Sequence, residues 1–159
     1  MQTTHNTLKA ETRQSSILLL NKHLAAAIDL HAQVKQAHWN VRGAGFMPVH
    51  LLFDSVSTEV ENYSDMLAER AGGLGGTANG TVQTVVERSF LVPYALGLAD
   101  VKEHIFAISA ALAAFGQSTR DAISEATAFG DLGTADMFTQ ITRGIDKQLW
   151  FVESHIFQA

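Results

Sequence analysis

Apolar residues recur at Ile17, Leu20, Leu24, Ala27, Ile28, Ala32 and Val34, and this approximately helical spacing continues to about Val41. Ser15-Ser16 can cap that helix, and the polar residues 1–14 before it read as a short flexible tail. Arg42-Gly43-Ala44-Gly45 breaks the pattern as a turn. A second helix is predicted from Phe46 or Met47 to about Ala71. Pro48 fits its first turn, where a missing N–H costs little, and Gly72-Gly73-Leu74-Gly75-Gly76 ends it. Residues 77–99 form a long connection with one short apolar piece, Val82 to Val86, and a break at Pro93. A third long helix follows the cap candidate Asp100. Val101, Ile105, Ile108, Leu112 and Phe115 mark its buried face, and it ends near Phe129-Gly130. The fourth runs from about Thr134 to His155 on the stripe Met137, Ile141, Ile145, Leu149 and Val152. The pattern predicts an all-α four-helix bundle, residues 15–159, with one long crossover.

Composition narrows the function. The 159 residues are 47% hydrophobic, enough for one domain with a sizeable core. There is no cysteine, which excludes disulfides, thiolate metal sites and cysteine nucleophiles. The formal net charge of −5 gives no bulk attraction for nucleic acid or anionic membrane. Leu18-Leu19-Leu20 runs straight into Asn21-Lys22-His23, so no stretch spans a bilayer, and the polar N-terminus lacks the apolar centre of a signal peptide. The chain therefore reads as cytoplasmic.

Candidate chemistry lies on the second helix. His50 and Asp54 are four residues apart, as are Asp65 and Glu69, and eleven residues separate Asp54 from Asp65. At about 100° per residue these four side chains fall within roughly 100° on a helical wheel. All four side chains are of types that bind metal, and such a stripe on an otherwise apolar helix is costly without a cation. His38, near the end of the first helix, lies level with His50 if the two helices form a hairpin. His38, His50 and Asp54 can then converge. Asp65 and Glu69 cannot join them, because Asp54 and Asp65 lie roughly 16 Å apart along the axis. A second copy, packed antiparallel across a two-fold axis, supplies them instead. The absence of any Glu-x-x-His, the pattern of a di-iron site inside one bundle, points the same way. Nitrogen and carboxylate donors without thiolate favour iron, manganese or zinc. A solvated polar face, with His38 as a packing histidine, is the alternative that spacing alone leaves open.

Lys35-Gln36-Ala37-His38-Trp39-Asn40-Val41-Arg42-Gly43, then His50-x3-Asp54 and Asp65-x2-Ala68-Glu69-Arg70, resemble the Dps family, the mini-ferritins. Leu74-Gly75-Gly76 and Asp146-Lys147-Gln148-Leu149-Trp150-Phe151-Val152-Glu153-Ser154 carry the same resemblance, which covers about residues 15–155. It implies a ferritin-like bundle, with a short helix in the crossover, assembled as a hollow dodecamer. It also implies ferroxidase centres at two-fold interfaces. There His38, His50 and Asp54 bind iron from one subunit and Asp65 and Glu69 from the other. Two ions per centre are expected, and zinc or manganese can substitute. Fe(II) and hydrogen peroxide are the implied substrates, and Fe(III) mineral is stored inside. Trp39 is expected beside the centre, quenching radicals or packing the interface. Asp131 and Asp136, near the start of the fourth helix, are expected at three-fold pores, with Gln140 where a third acid sometimes stands; a helix cap is the alternative for Asp131.

Other residues carry weaker expectations. The N-terminal segment offers only Lys9 and Arg13 as positive charges, and the sequence ends Phe157-Gln158-Ala159 without lysines, so DNA binding is expected to be weak or absent. Glu61 projects onto the metal stripe and reads as an interface salt bridge, or as an iron-guiding group. His31 shares a helical face with His38 and reads as packing. His5, His23, His104 and His155 read as surface. Two rival functions remain: a DNA-compacting protein with secondary iron chemistry, and a zinc or manganese shell without turnover.

Overall fold

The computed structural model describes residues 1–156, and the C-terminal Phe157-Gln158-Ala159 lies outside them. Five helices follow one another: α1 (Ala10–Asn40), α2 (Phe46–Gly73), α3 (Val82–Arg88), α4 (Val101–Phe129) and α5 (Leu132–Glu153). No strand occurs among the described residues; an isolated bridge joins Arg42 to Asp100. Helices α1 and α2 form one hairpin and α4 and α5 the other. Contacts of α1 with α4, and of α2 with α5, close the bundle. The short α3 sits in the crossover and packs on α1.

The apolar stripes meet where their periodicity directs them. Leu20, Leu30, Phe53, Leu67, Ile105, Ile108, Leu112, Phe115, Phe138, Ile141 and Ile145 are fully buried between the four long helices. Each such side chain contributes about 1.5–3 kcal/mol by leaving water. One contact depends on a missing side chain. A Cβ at Gly144 of α5 would collide with the Tyr63 hydroxyl of α2, which donates to the Glu59 carboxylate at 2.9 Å.

The helix ends are set by local chemistry. Asp100 caps α4 through a capping box with Glu103. Gly130, at φ +81°, closes α4 in the left-handed region that favours glycine. The start of α1 differs from the expectation. The helix begins at Ala10, not at Ser15-Ser16, and its N-cap Lys9 makes no side-chain capping bond. Ser16 lies buried inside the helix. Tertiary bonds hold the extra turn: the Thr12 hydroxyl donates to the Phe129 carbonyl, and Arg13 donates to the Leu74 carbonyl. Further out, the Gln2 amide donates to the Gly75 carbonyl at 2.7 Å. These bonds come from distant parts of the chain, so no local apolar pattern announces them.

Candidate metal centre

The turn Val41–Gly45 brings the end of α1 against the start of α2. Gly45 takes φ +80° to begin α2 immediately. His38 and His50 then meet across the hairpin. Their rings stack at 3.8 Å between centroids, tilted by 20°. The Nδ1 of His38 lies 2.8 Å from the His50 carbonyl, and the Nδ1 of His50 lies 2.9 Å from the His38 carbonyl. A carbonyl only accepts, so both Nδ1 atoms carry protons, and in the neutral rings Nε2 is the nitrogen with the lone pair. That is the tautomer in which a histidine ligates a metal, held by the outer hydrogen bond such ligands use.

Asp54 stands one turn beyond His50. Its side chain is 55% exposed, and Oδ1 lies 3.9 Å from His38 Nε2. The same oxygen is 2.8 Å from Lys35 Nζ. The hydrogen bond from Lys35 is the main cause that holds the Asp54 carboxyl below its usual range. The Lys35 charge and the two histidines act in the same direction. Lys35 lies one turn before His38 on α1, so the spacing places it on the side of the helix that carries His38. Sequence reasoning assigned it no role.

Asp65 and Glu69 are exposed farther along the same side of α2. Within one protomer, no three His, Asp or Glu groups among the described residues come close enough to hold a metal. The expected convergence of His38, His50 and Asp54 is therefore incomplete: the histidines are aligned, but Asp54 is drawn to Lys35. Trp39 is 64% exposed, with Lys35 Nζ 5.8 Å from its ring centroid. Phe46, Met47 and Leu51 are exposed around the same end of the hairpin.

The two candidate pore acids separate. Asp136 and Gln140 are exposed on α5. Asp131 is 1% exposed and caps α5. Its Oδ1 accepts from Arg70 at 2.7 Å and from the Thr134 amide at 3.0 Å, and Oδ2 accepts from the Thr134 hydroxyl at 2.6 Å. Burial, the largest influence, raises its pKa; the Thr134 bonds and the Arg70 charge together outweigh it and leave the carboxyl below its usual range. Arg70 adjoins Glu69, so this pair of a partly exposed arginine and a buried aspartate anchors the end of α2 that carries Glu69.

Two histidines expected at the surface are fully buried. His23 Nδ1 donates to the Leu19 carbonyl at 2.9 Å, so Nε2 accepts from the Ser118 hydroxyl at 3.0 Å. The ring packs in a T-shaped contact with Phe138 at 4.8 Å between centroids. His104 lies against the Tyr94 hydroxyl. Burial lowers the pKa of both. A usable signal existed: His23 stands between Leu20 and Leu24 on the buried stripe, and His104 between Val101 and Ile105.

Residues 17–158 match the ferritin-like domain family. The chain is 39% identical over 153 residues to the DNA protection during starvation protein of Agrobacterium fabrum, covering 96% of this chain and 94% of that protein. DpsC from Streptomyces coelicolor superposes with a TM-score of 0.94 at 31% identity, covering 99% of this chain and 92% of that one. Dps from Microbacterium arborescens, solved in a high iron form, superposes at 0.87 with 32% identity over 93% and 96% of the two chains. The bundle with its long crossover thus defines a ferritin-like protein. Within that class, the chain belongs to the Dps family.

Proposed function

We propose that this chain oxidises Fe(II) at centres shared between two-fold-related subunits and stores the Fe(III) product inside a hollow, cytoplasmic dodecamer. The observation that carries the reading is the reciprocal pair of bonds between His38 and His50, which aligns two imidazole lone pairs beside an exposed carboxylate. Asp65 and Glu69 of the partner subunit complete the donor set by the spacing argument above. Iron is the substrate. Two Fe(II) ions give one electron each to one peroxide, whose O–O bond breaks. Water supplies the remaining oxygen, and protons leave as Fe(III) hydrolyses to oxide-hydroxide. Carboxylates Asp54, Asp65 and Glu69 neutralise the incoming charge. The Lys35 ammonium leaves Asp54 when iron arrives, so one cation replaces another and the acid is never left unpaired.

Trp39 lies within the exposed patch that a partner covers, where it packs the interface and donates an electron to stray radicals. Asp136 draws cations to a three-fold entrance. DNA binding is weak: the net charge is −5, and Arg13 is occupied in carbonyl bonds. No helix among the described residues is long and apolar enough to cross a membrane.

The test mixes anaerobic Fe(II) with the purified protein, adds peroxide, and follows near-ultraviolet absorbance beside an Asp54→Ala, Glu69→Ala variant. The wild type is expected to oxidise iron quickly and keep it soluble. The variant is expected to oxidise it slowly, with precipitate. Equal behaviour of the two proteins would overturn the reading.

A further inference from the structure

Two side chains on the outer face of the α1–α2 hairpin have no part in the ferroxidase reading. His31 places Nδ1 3.1 Å from the Ser57 carbonyl, with the Ser57 hydroxyl at 3.2 Å. The carbonyl fixes a proton on Nδ1, so in the neutral ring Nε2 is the nitrogen with the lone pair. This is the arrangement of His38 and His50, and the opposite of the core histidine His23, whose two nitrogens are both used inside the chain. Glu61 is exposed one turn after Ser57, on the side of α2 that carries Asp54 and Asp65. It borders a shallow groove of about 350 Å³ whose other walls include Leu24, Ile28 and Ala68.

The inference rests on the interface reading above. A two-fold pairing that brings Asp54 against Asp65 and Glu69 of the partner subunit has its centre midway between those positions along α2, at Val60–Glu61. Symmetry therefore sets each Glu61 beside its own copy. Two carboxylates covered by a partly apolar interface cannot both stay ionised without a cation or a shared proton. His31 lies on the neighbouring helix α1, at the level of Ser57. A helical side chain leans toward the N-terminus of its helix, and for α1 that direction is toward the axis. Each chain thus contributes one imidazole nitrogen and one carboxylate to the same point.

We propose that two His31 and two Glu61 form a second metal site on the two-fold axis, binding one divalent ion per dimer. Two nitrogens and two carboxylate oxygens suit a tetrahedral ion, zinc above all, and four protein ligands leave no open position, as in structural zinc sites. The ion fastens the interface between the two ferroxidase centres. It leaves no vacancy for substrate.

Cobalt(II) is the probe, because its tetrahedral complexes absorb visible light far more strongly than its octahedral ones. It is titrated into the assembled wild type, into the Asp54→Ala, Glu69→Ala variant, and into that variant carrying Glu61→Gln or His31→Gln in addition. Size-exclusion chromatography of each sample reports assembly. The first variant is expected to bind one cobalt per two chains with the intense tetrahedral spectrum, and either added substitution is expected to abolish it. Anomalous diffraction from zinc-soaked wild-type crystals is expected to place an ion on the two-fold axis. Cobalt uptake by the wild type but none by the first variant, or an empty axis in those crystals, overturns the axial site and leaves the ferroxidase reading standing. A tetrahedral spectrum that survives both added substitutions also overturns it. A wild type that neither self-associates nor binds metal overturns both.

Discussion

The core around His23 and the outer face around His38 use the same side chain in opposite ways. His23 is fully buried, packs in a T-shaped contact with a phenylalanine ring, and spends both nitrogens on the chain's own groups. His38 spends one nitrogen on a carbonyl and keeps the other free at the rim of the hairpin. A histidine satisfied on both sides holds helices together. One satisfied on a single side is oriented for something that has yet to arrive. The distinction lies in the number of bonds made, not in the residue type or in burial alone.

Paired substitutions give the sharpest way to break this comparison. His38→Ala is expected to lower peroxide-driven iron oxidation by more than the roughly 10–100-fold typical of losing a supporting group, while thermal unfolding changes little. His23→Ala is expected to do the reverse. It deletes a buried ring and strands the Ser118 hydroxyl, for a loss of about 2–4 kcal/mol in denaturant unfolding, with iron oxidation intact in the assembled protein. If both variants lose activity equally and stability equally, the division between the two regions is wrong.

Acid sharpens the same contrast. Burial lowers the His23 and His104 pKa values below 6.5, so the unfolded chain binds protons that the folded chain resists. Stability is therefore unaffected by these groups above about pH 6.5 and falls as pH drops through that value toward the lowered folded pKa. His23→Gln removes one of these titrations. Chemical denaturation between pH 5 and 7 is expected to show a shallower decline for this variant than for the wild type.

The smallest expected effect concerns Lys35. Its ammonium lies 2.8 Å from Asp54, and under the proposed function it competes there with incoming metal. Lys35→Met is expected to tighten anaerobic Fe(II) binding several-fold, measured by calorimetry, and to increase the salt-independent part of the affinity. Unchanged or weaker binding would mean that the lysine helps to hold the site and does not compete for it.

The helices and their order were legible from the stripes, because each long helix has one apolar face and each end carries a recognisable signal. Asp100 with Glu103, and Gly130, are examples. The start of α1 was not legible, since Thr12 and Arg13 are fixed by carbonyls more than sixty positions away. The stripe of candidate metal ligands was visible because four side chains at 4, 11 and 4 spacing mark one side of a helix. The bonds that orient it were not, because they run to backbone carbonyls, which every residue possesses.

The sequence by itself determined the four apolar faces, the long crossover, the acidic balance and the line of donors along α2. It also determined that Asp54 and Asp65 of one chain cannot share a metal ion, since helical rise separates them by roughly 16 Å. Only the tertiary structure decided which histidines are core and which are free to ligate. It alone joined Lys35 to Asp54 and sealed Asp131 against Arg70. The physical reason is common to all of these. Periodicity records which side of a helix turns inward, whereas a proton's position or a carboxylate's partner depends on atoms that distant segments deliver.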